Sequence, residues 1–363
     1  MTACSPWRTR SSPRKLERRR VIGRLAARHS FFGARQLEAS PSFLAAVVMA
    51  ALLVGCRSTD APAGSREPSA RREAELLVEE ARRDIERESA PPATEKTGLV
   101  VPKRHAGERR PLLVFLHGLG GSGAELARGL ELAAWAEDRG FAFMAPEGHL
   151  DYSGRRFWNA TESCCNFDQL AVDHVAQLRE WLTSAISSPA VDPARVYLIG
   201  YSNGGFMAYR AACELSSLLR GIVSIAGAAP ADASACRPER KVSVVQVHGD
   251  ADPIVSFAGG HLFADSRRPR YPSAVKSVEG WASIDGCSAA PVVMRNLDLD
   301  PRIPGGETEV SSFPNCESGR VELWRIRGGD HSAGLSHYSL GAIWEFIESD
   351  GAVGAESPPA SNP

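Results

Sequence analysis

Several features that would announce a metal, a nucleotide or a nucleic acid are missing from this 363-residue sequence. Its 42 Lys and Arg nearly balance 43 Asp and Glu, a formal net charge of -1, so no global field argues for nucleic acid or an acidic polymer as partner. No Cys-x-x-Cys pair stands with a matching histidine pair, which argues against zinc. No G-x-x-x-x-G-K-[ST] stretch occurs, and the Gly-rich HGLGGSG (117–123) has no lysine nearby, which argues against a phosphate loop. The apolar run Phe43–Val54 falls short of the roughly 20 residues a membrane-spanning helix needs. No internal repeat divides the chain. With 43% hydrophobic and 23% charged residues, the sequence is that of a globular protein of one large or two ordinary domains.

The balanced charge hides a local asymmetry. Residues 8–35 are crowded with arginine and hold one acidic side chain, Glu17. The short apolar run and small residues that follow read as an export signal. Its end, Leu53-Val54-Gly55-Cys56, resembles the lipobox of bacterial lipoproteins. That resemblance makes Cys56 the first mature residue and the lipid-bearing thiol, so a membrane becomes a partner through an N-terminal lipid anchor, on the periplasmic face or at the cell surface. An ordinary signal peptide, or a buried helix with a stray cysteine, is the plainer alternative. The basic region is unusually long, as a start codon placed too far upstream would make it. The chain then divides into a signal peptide (1–55), a charged spacer (56–95), a catalytic domain (96–350) and a disordered tail (351–363). The spacer contains ARREAELLVEEARRDIERE, whose acid–base pairs recur at helical spacing.

Export alters the reading of the cysteines. Apart from Cys4 and Cys56 there remain Cys164, Cys165, Cys213, Cys236, Cys287 and Cys316. In an oxidising compartment six thiols suggest disulfides. Cys213–Cys236 and Cys287–Cys316 would each close a loop. Cys164 and Cys165 are adjacent, and either a vicinal bridge or separate partners is open.

From Leu99 to Ile347 strands and helices alternate. LLVFLHG (112–118), FAFMAPEG (141–148), RVYLIG (195–200), GIVSIAGA (221–228), SVVQVHG (243–249) and VELWRIRGG (321–329) read as strands. Residues 125–140, 169–186, 206–219 and 340–348 carry helical spacing. This alternation implies a mostly parallel sheet with helices on both faces. Residues 258–320 read as an irregular insertion over one end of the sheet.

Active residues of an open parallel sheet gather at the carboxyl ends of its strands. GYSNGG there fits the G-x-S-x-G elbow, which pushes the Ser202 hydroxyl out at a helix amino terminus. A serine hydroxyl needs a base to take its proton. His331 is the candidate base, and Asp252 the acid that orients it, with Asp250 as rival. The chain order Ser202, Asp252, His331 is that of α/β-hydrolases. The oxyanion needs two backbone donors, for which the amides of Asn203 and Leu119 are placed. His117 and His248 read as loop-shaping, His261 and His337 as solvated. Trp158 and Asn159 line a substrate pocket or pack the core, and Phe206 and Met207 read as core.

FLHGLGGSG, RFWNATESCCNFDQLAVDHV, VDPARVYLIGYSNGGFMAYRAACELS, VQVHGDADPIV and GGDHSAG together resemble the polyhydroxybutyrate depolymerase/feruloyl esterase group of the α/β-hydrolases, over about residues 112–335. The resemblance implies ester hydrolysis through an acyl-serine, with no metal or organic cofactor, and carries the triad onto Ser202, Asp252 and His331. His174 stands where the family usually has an acidic residue. Ser332 and Ala333 replace an aromatic and a proline, and Asp250 a small polar residue. No polymer-binding module is legible after residue 350, which favours soluble oligomers or small acyl esters. The expectation is an exported, lipid-anchored serine carboxylesterase acting on hydroxyalkanoate oligomers, feruloyl or acetyl esters. A serine peptidase on the same fold and a non-catalytic binding lipoprotein are the alternatives.

Overall fold

Strands whose side chains are apolar at every position need cover on both faces, and the central strands here have it. A computed structural model describes residues 98–104, 107–288 and 290–353. The proposed signal peptide, Cys56, the spacer and all of the tail beyond residue 353 lie outside them.

Strand β1 (Arg110–Leu116) is followed by helices α1 (Gly123–Gly129) and α2 (Leu132–Arg139) and strand β2 (Ala142–Met144). A small hairpin, β3 (His149–Leu150) and β4 (Arg156–Phe157), leads to α3 (His174–Ile186), β5 (Val191–Tyr201) and α4 (Asn203–Glu214). Then come β6 (Gly221–Ile225), β7 (Ser243–Gly249), a second hairpin of β8 (Gly260–His261) and β9 (Arg270–Tyr271), and α5 (Ala274–Ile284). Strands β10 (Val292–Leu297), β11 (Thr308–Phe313) and β12 (Val321–Ile326) precede the last helix, α6 (His337–Val353).

Eight strands form one sheet in the order β10-β11-β12-β7-β6-β5-β1-β2. The six from β12 to β2 are parallel, and β11 and β10 run antiparallel at the edge. Alternation along β1 sends Leu112, Val114 and Leu116 to one face, where α3, α4 and α5 cover them. Leu113 and Phe115 go to the other face, under α2 and α6. Each such fully buried side chain is worth roughly 1.5–3 kcal/mol. The chain turns opposite ways after β1 and β5, so the crevice between their carboxyl ends is the switch point of the sheet.

Buried charge clamps α6 to the opposite end. Asp350 accepts hydrogen bonds from Tyr197 Oη at 2.9 Å, Ser243 Oγ at 2.6 Å and Arg220 Nε at 2.9 Å. The sulfurs of Cys213 and Cys236 lie 2.05 Å apart and those of Cys287 and Cys316 2.02 Å apart, the expected pairs. Cys164 and Cys165 pair with each other.

Four element assignments need correction. The segment 125–140 is two helices, broken at Glu131 in a left-handed conformation (φ 47°). Leu130 and Leu132 are both buried, and residues two apart on one continuous helix would face away from each other. The helix expected from Gln169 starts at His174, because Gln169 has φ 54° and Asp173 caps the first turn by accepting from the Ala176 amide. Residues 258–320 are no irregular insertion over the sheet end: they hold β8, β9 and α5 and extend the sheet by two antiparallel strands. The last helix runs on to Val353, where a tail was expected from 351.

Asp285, at the end of α5, is fully buried. Burial pushes its carboxyl from 3.8 up to about 8, with Lys241 pulling the other way. The folded state therefore holds this proton more tightly than the unfolded chain. That stabilisation is complete below about pH 4 and is lost as the pH rises through about 8. Asp285→Asn should accordingly gain on the wild type as pH rises, by on the order of 1–3 kcal/mol at about pH 9. Urea unfolding of both proteins at about pH 5 and about pH 9 checks this; identical pH slopes would contradict it.

Candidate active site

The elbow is built from close backbone approach. A methyl group on Gly200 would lie 2.0 Å from the Gly204 carbonyl oxygen, and one on Gly204 would lie 2.2 Å from that of Leu116. Ser202 takes φ 53°, ψ -117°, a strained state for a non-glycine residue. Its amide donates to the Ile225 carbonyl at 2.8 Å, which pins the turn to the end of β6. The side chain emerges where α4 begins, beside the partial positive charge of that helix end.

Loops after β7 and β12 bring the other two residues. His331 Nε2 lies 3.0 Å from Ser202 Oγ, and His331 Nδ1 lies 2.7 Å from Asp252 Oδ2. With Asp252 ionised, Nδ1 carries the ring proton and Nε2 is free to accept from the serine hydroxyl. Asp252 Oδ1 accepts from the amides of Ile254 at 2.8 Å and Val255 at 2.9 Å. Burial disfavours this charge, but the hydrogen bonds from His248, His331 and the Ile254 amide outweigh it and hold the carboxyl far below the usual carboxylate range.

The two loops are tied side by side. The Ala251 amide donates to the Gly329 carbonyl at 3.0 Å. Asp250, the rival acid, accepts from the Gly328 amide at 2.7 Å and from Arg325 Nε at 2.9 Å, so it shapes the loop pair and does not touch the imidazole. Asp330 is gripped by Arg302 through two bonds of 2.9 Å. Sequence reasoning missed Arg302, since it lies in the stretch read as irregular. It also gave no role to Tyr201, whose ring lies 5.4 Å from that of His331.

The remaining candidates divide as follows. The HGLGGSG loop reaches the elbow, for a methyl on Gly118 would lie 3.3 Å from Ser202 Cβ. Neither the Leu119 nor the Asn203 amide makes a hydrogen bond among the described residues. Trp158 is fully buried, so it does not line an open pocket; the core alternative holds. Asn159 is likewise engaged, its Nδ2 donating to the Val172 carbonyl at 2.9 Å and its carbonyl accepting from Arg210 Nη1 at 2.7 Å. Phe206 and Met207 are core.

The histidines read as loop-shaping keep that role. Gly148 donates to His117 Nε2 at 3.0 Å, which leaves the Nδ1 proton for the Gly118 carbonyl at 2.8 Å; burial lowers the tendency of this ring to charge. His248 Nδ1 lies 3.0 Å from Gln246 Nε2 and its Nε2 2.7 Å from the Val255 carbonyl. His261 is not simply solvated, since its Nδ1 meets the Arg268 carbonyl inside the second hairpin. His337 is exposed. His174 is buried, accepts from the Asn159 amide at 2.8 Å and meets His149 Nδ1 at 2.9 Å. Burial, with His149 and Arg210 adding to it, lowers its pKa to about 3, so it stays neutral. Among the described residues no three His, Cys, Asp or Glu side chains are grouped to hold a metal ion.

Comparison with known proteins adds to the geometry. Residues 99–268 match the family described as Phospholipase/Carboxylesterase. The esterase-named protein NocK of Nocardia uniformis subsp. tsuyamanensis is 32% identical over 238 residues, 62% of this chain and 66% of that one. Feruloyl esterase B of Piromyces equi is 27% identical over 259 residues, 68% of this chain and 44% of that one. The chain thus spans just under two thirds of the one and less than half of the other. Among solved structures, the acetyl xylan esterase from Aspergillus awamori superposes with a TM-score of 0.51 at 16% identity, over 69% of this chain and 93% of that one, a likeness of fold.

Because Asp252 and not Asp250 holds the imidazole, Asp252→Asn should slow fluorophosphonate labelling of Ser202 by roughly 10³-fold. Asp250→Asn should label at a rate within a few-fold of wild type. Time courses with the same probe read both, and the reverse ranking would overturn the assignment of the acid.

Proposed function

We propose that this chain is an α/β-hydrolase and a serine carboxylesterase working through an acyl-enzyme on Ser202. The observation that carries this reading is the hydrogen-bonded series Ser202–His331–Asp252, with distances of 3.0 and 2.7 Å.

Ser202 Oγ attacks the ester carbonyl carbon while His331 Nε2 takes the hydroxyl proton. The carbonyl oxygen becomes an oxyanion, held by the Asn203 and Leu119 amides, and the Asp252 carboxylate stabilises the imidazolium formed beside it. Collapse expels the alcohol, which receives the proton from His331. Water then attacks the acyl-serine, His331 removing its proton and returning it to Ser202 Oγ as the acid leaves. No step requires a metal or an organic cofactor.

Feruloyl, acetyl and short hydroxyalkanoate esters are the substrate classes proposed, the first two in line with the names of a relative and of a structural neighbour. We further read the domain as exported and held at a membrane by a lipid on Cys56. Support comes from the lipobox-like Leu53–Cys56 and from three cysteine pairs at bonding distance.

Oxidised protein should be labelled by a fluorophosphonate at Ser202 and should hydrolyse p-nitrophenyl acetate. Ser202→Ala and His331→Ala should each remove nearly all of that turnover and leave the thermal melt near that of the wild type. A panel of feruloyl, acetyl and hydroxybutyryl esters ranks the acyl group. Labelling with cleavage of peptides and no ester turnover would favour a peptidase, and absence of labelling a binding protein.

A further inference from the structure

An oxyanion hole works only when two amides aim at one point, within about 0.5 Å of the productive geometry. In this chain the two amides stand on different segments. Leu119 lies on the loop after β1, and Asn203 opens α4 after the elbow. Pairing of β1 with β5 fixes their relation only as far as Leu116 and Gly200. Beyond those residues the ladder ends and close packing remains, as of Gly118 on Ser202 and of Gly204 on Leu116, so any further hydrogen bond between the segments adds to the setting of their distance.

Resting on the esterase reading above, we infer that Trp158 is a positioning residue that ties the two oxyanion segments together. Its amide donates to Asn203 Oδ1 at 2.7 Å, and its carbonyl accepts from Asn203 Nδ2 at 2.9 Å. The Asn203 side chain and the Trp158 peptide thus pair as two strand residues do, which orients the backbone of residue 203 through its own side chain. On the other side, Trp158 Nε1 donates to the His117 carbonyl at 3.0 Å, two residues before Leu119. The indole also packs on the His117 ring, with centroids 5.1 Å apart. Just before it, the Arg156 carbonyl accepts from the Gly120 amide at 2.8 Å, directly after Leu119. Segment 156–158 therefore holds the first donor loop on both sides of Leu119 and the second donor through Asn203.

Burial gives these bonds their force. Trp158 and Asn203 are fully buried and His117 nearly so, and a bond broken here leaves a polar group without water to replace its partner. An indole that merely filled space would not need the bond from Nε1 to the His117 carbonyl, whereas the two bonds to Asn203 come from the backbone of residue 158. Asparagine at 203 is explained on the same terms, because its amide offers the donor and the acceptor that a peptide group requires.

The test separates the indole N–H from the bulk of the ring. Trp158→Phe removes both the N–H and part of the volume. A second variant, with the sulfur isostere benzothienylalanine at 158, keeps the shape and removes only the donor. The expected result for the isostere is a kcat about ten- to a hundredfold lower, KM within about twofold, and a cooperative thermal melt lowered by only a few degrees. Affinity for a boronic acid, which mimics the tetrahedral adduct, should fall by the same factor as kcat/KM. A folded isostere protein with wild-type kcat and wild-type boronic acid affinity would overturn the inference while leaving the esterase reading intact. Wild-type protein that turns over no ester would remove both.

Discussion

Ser202 sits in a backbone state that costs about 1–3 kcal/mol, and the carboxyl end of the sheet is organised around holding it there. Two glycines make room where the turn closes on itself and on the end of β1. The bond from the Ser202 amide to Ile225 couples the turn to β6, whose neighbours on both sides are buried parallel strands. The strain is therefore offset by a sheet that cannot relax without losing its own ladder. What it gains is position, since the nucleophile stands clear of the strands and within reach of loops from β1, β7 and β12.

Electrostatics divides the acidic groups around the site by depth. Asp252 is buried, and its charge is kept by two amides on Oδ1 and by His331 on Oδ2, with His248 Nε2 3.4 Å from that second oxygen. Asp250 and Asp330 lie nearer solvent and pair with Arg325 and Arg302. Exposed pairs of that kind contribute little energy on their own. Their importance here is geometric, because each fixes a residue two positions or fewer from a member of the catalytic series.

A second layer of contacts joins segments that are far apart in sequence. Ser163 Oγ donates to the Arg270 carbonyl at 2.7 Å, and the Arg268 guanidinium stacks 3.9 Å above the Phe167 ring. Cys164 Sγ accepts from Asn203 Nδ2 at 3.4 Å, so the paired cysteines back the same asparagine that Trp158 holds. The stretch 156–170 thus supports the elbow from behind, while the hairpin at 260–271 supports that stretch in turn.

Local signals made much of this molecule legible. Apolar runs ending in Gly or His marked the parallel strands, because a strand buried on both faces keeps few polar positions, such as Ser224 in β6 and Gln246 in β7. G-x-S-x-G marked the elbow, because the glycines are required by contacts within a few residues. The order of Ser202, Asp252 and His331 along the chain followed from which strands end beside one another. The break at Glu131, the late start of α3 and the edge strands β10 and β11 escaped notice. Each was settled by what the segment packs against, and helical or alternating spacing does not record the neighbour. Motif and resemblance placed Asp252 ahead of its rival Asp250, and the partner loop from β12 supplies the physical distinction between two carboxylates on one loop. Trp158 shows the limit most clearly: its identity was plain from the start, but whether an indole faces a substrate or bonds two backbones depends on atoms brought to it from residues 117 and 203. Sequence determined the chemistry that was available, and tertiary packing decided which groups meet, because hydrogen bonds act over about 3 Å whatever the distance along the chain.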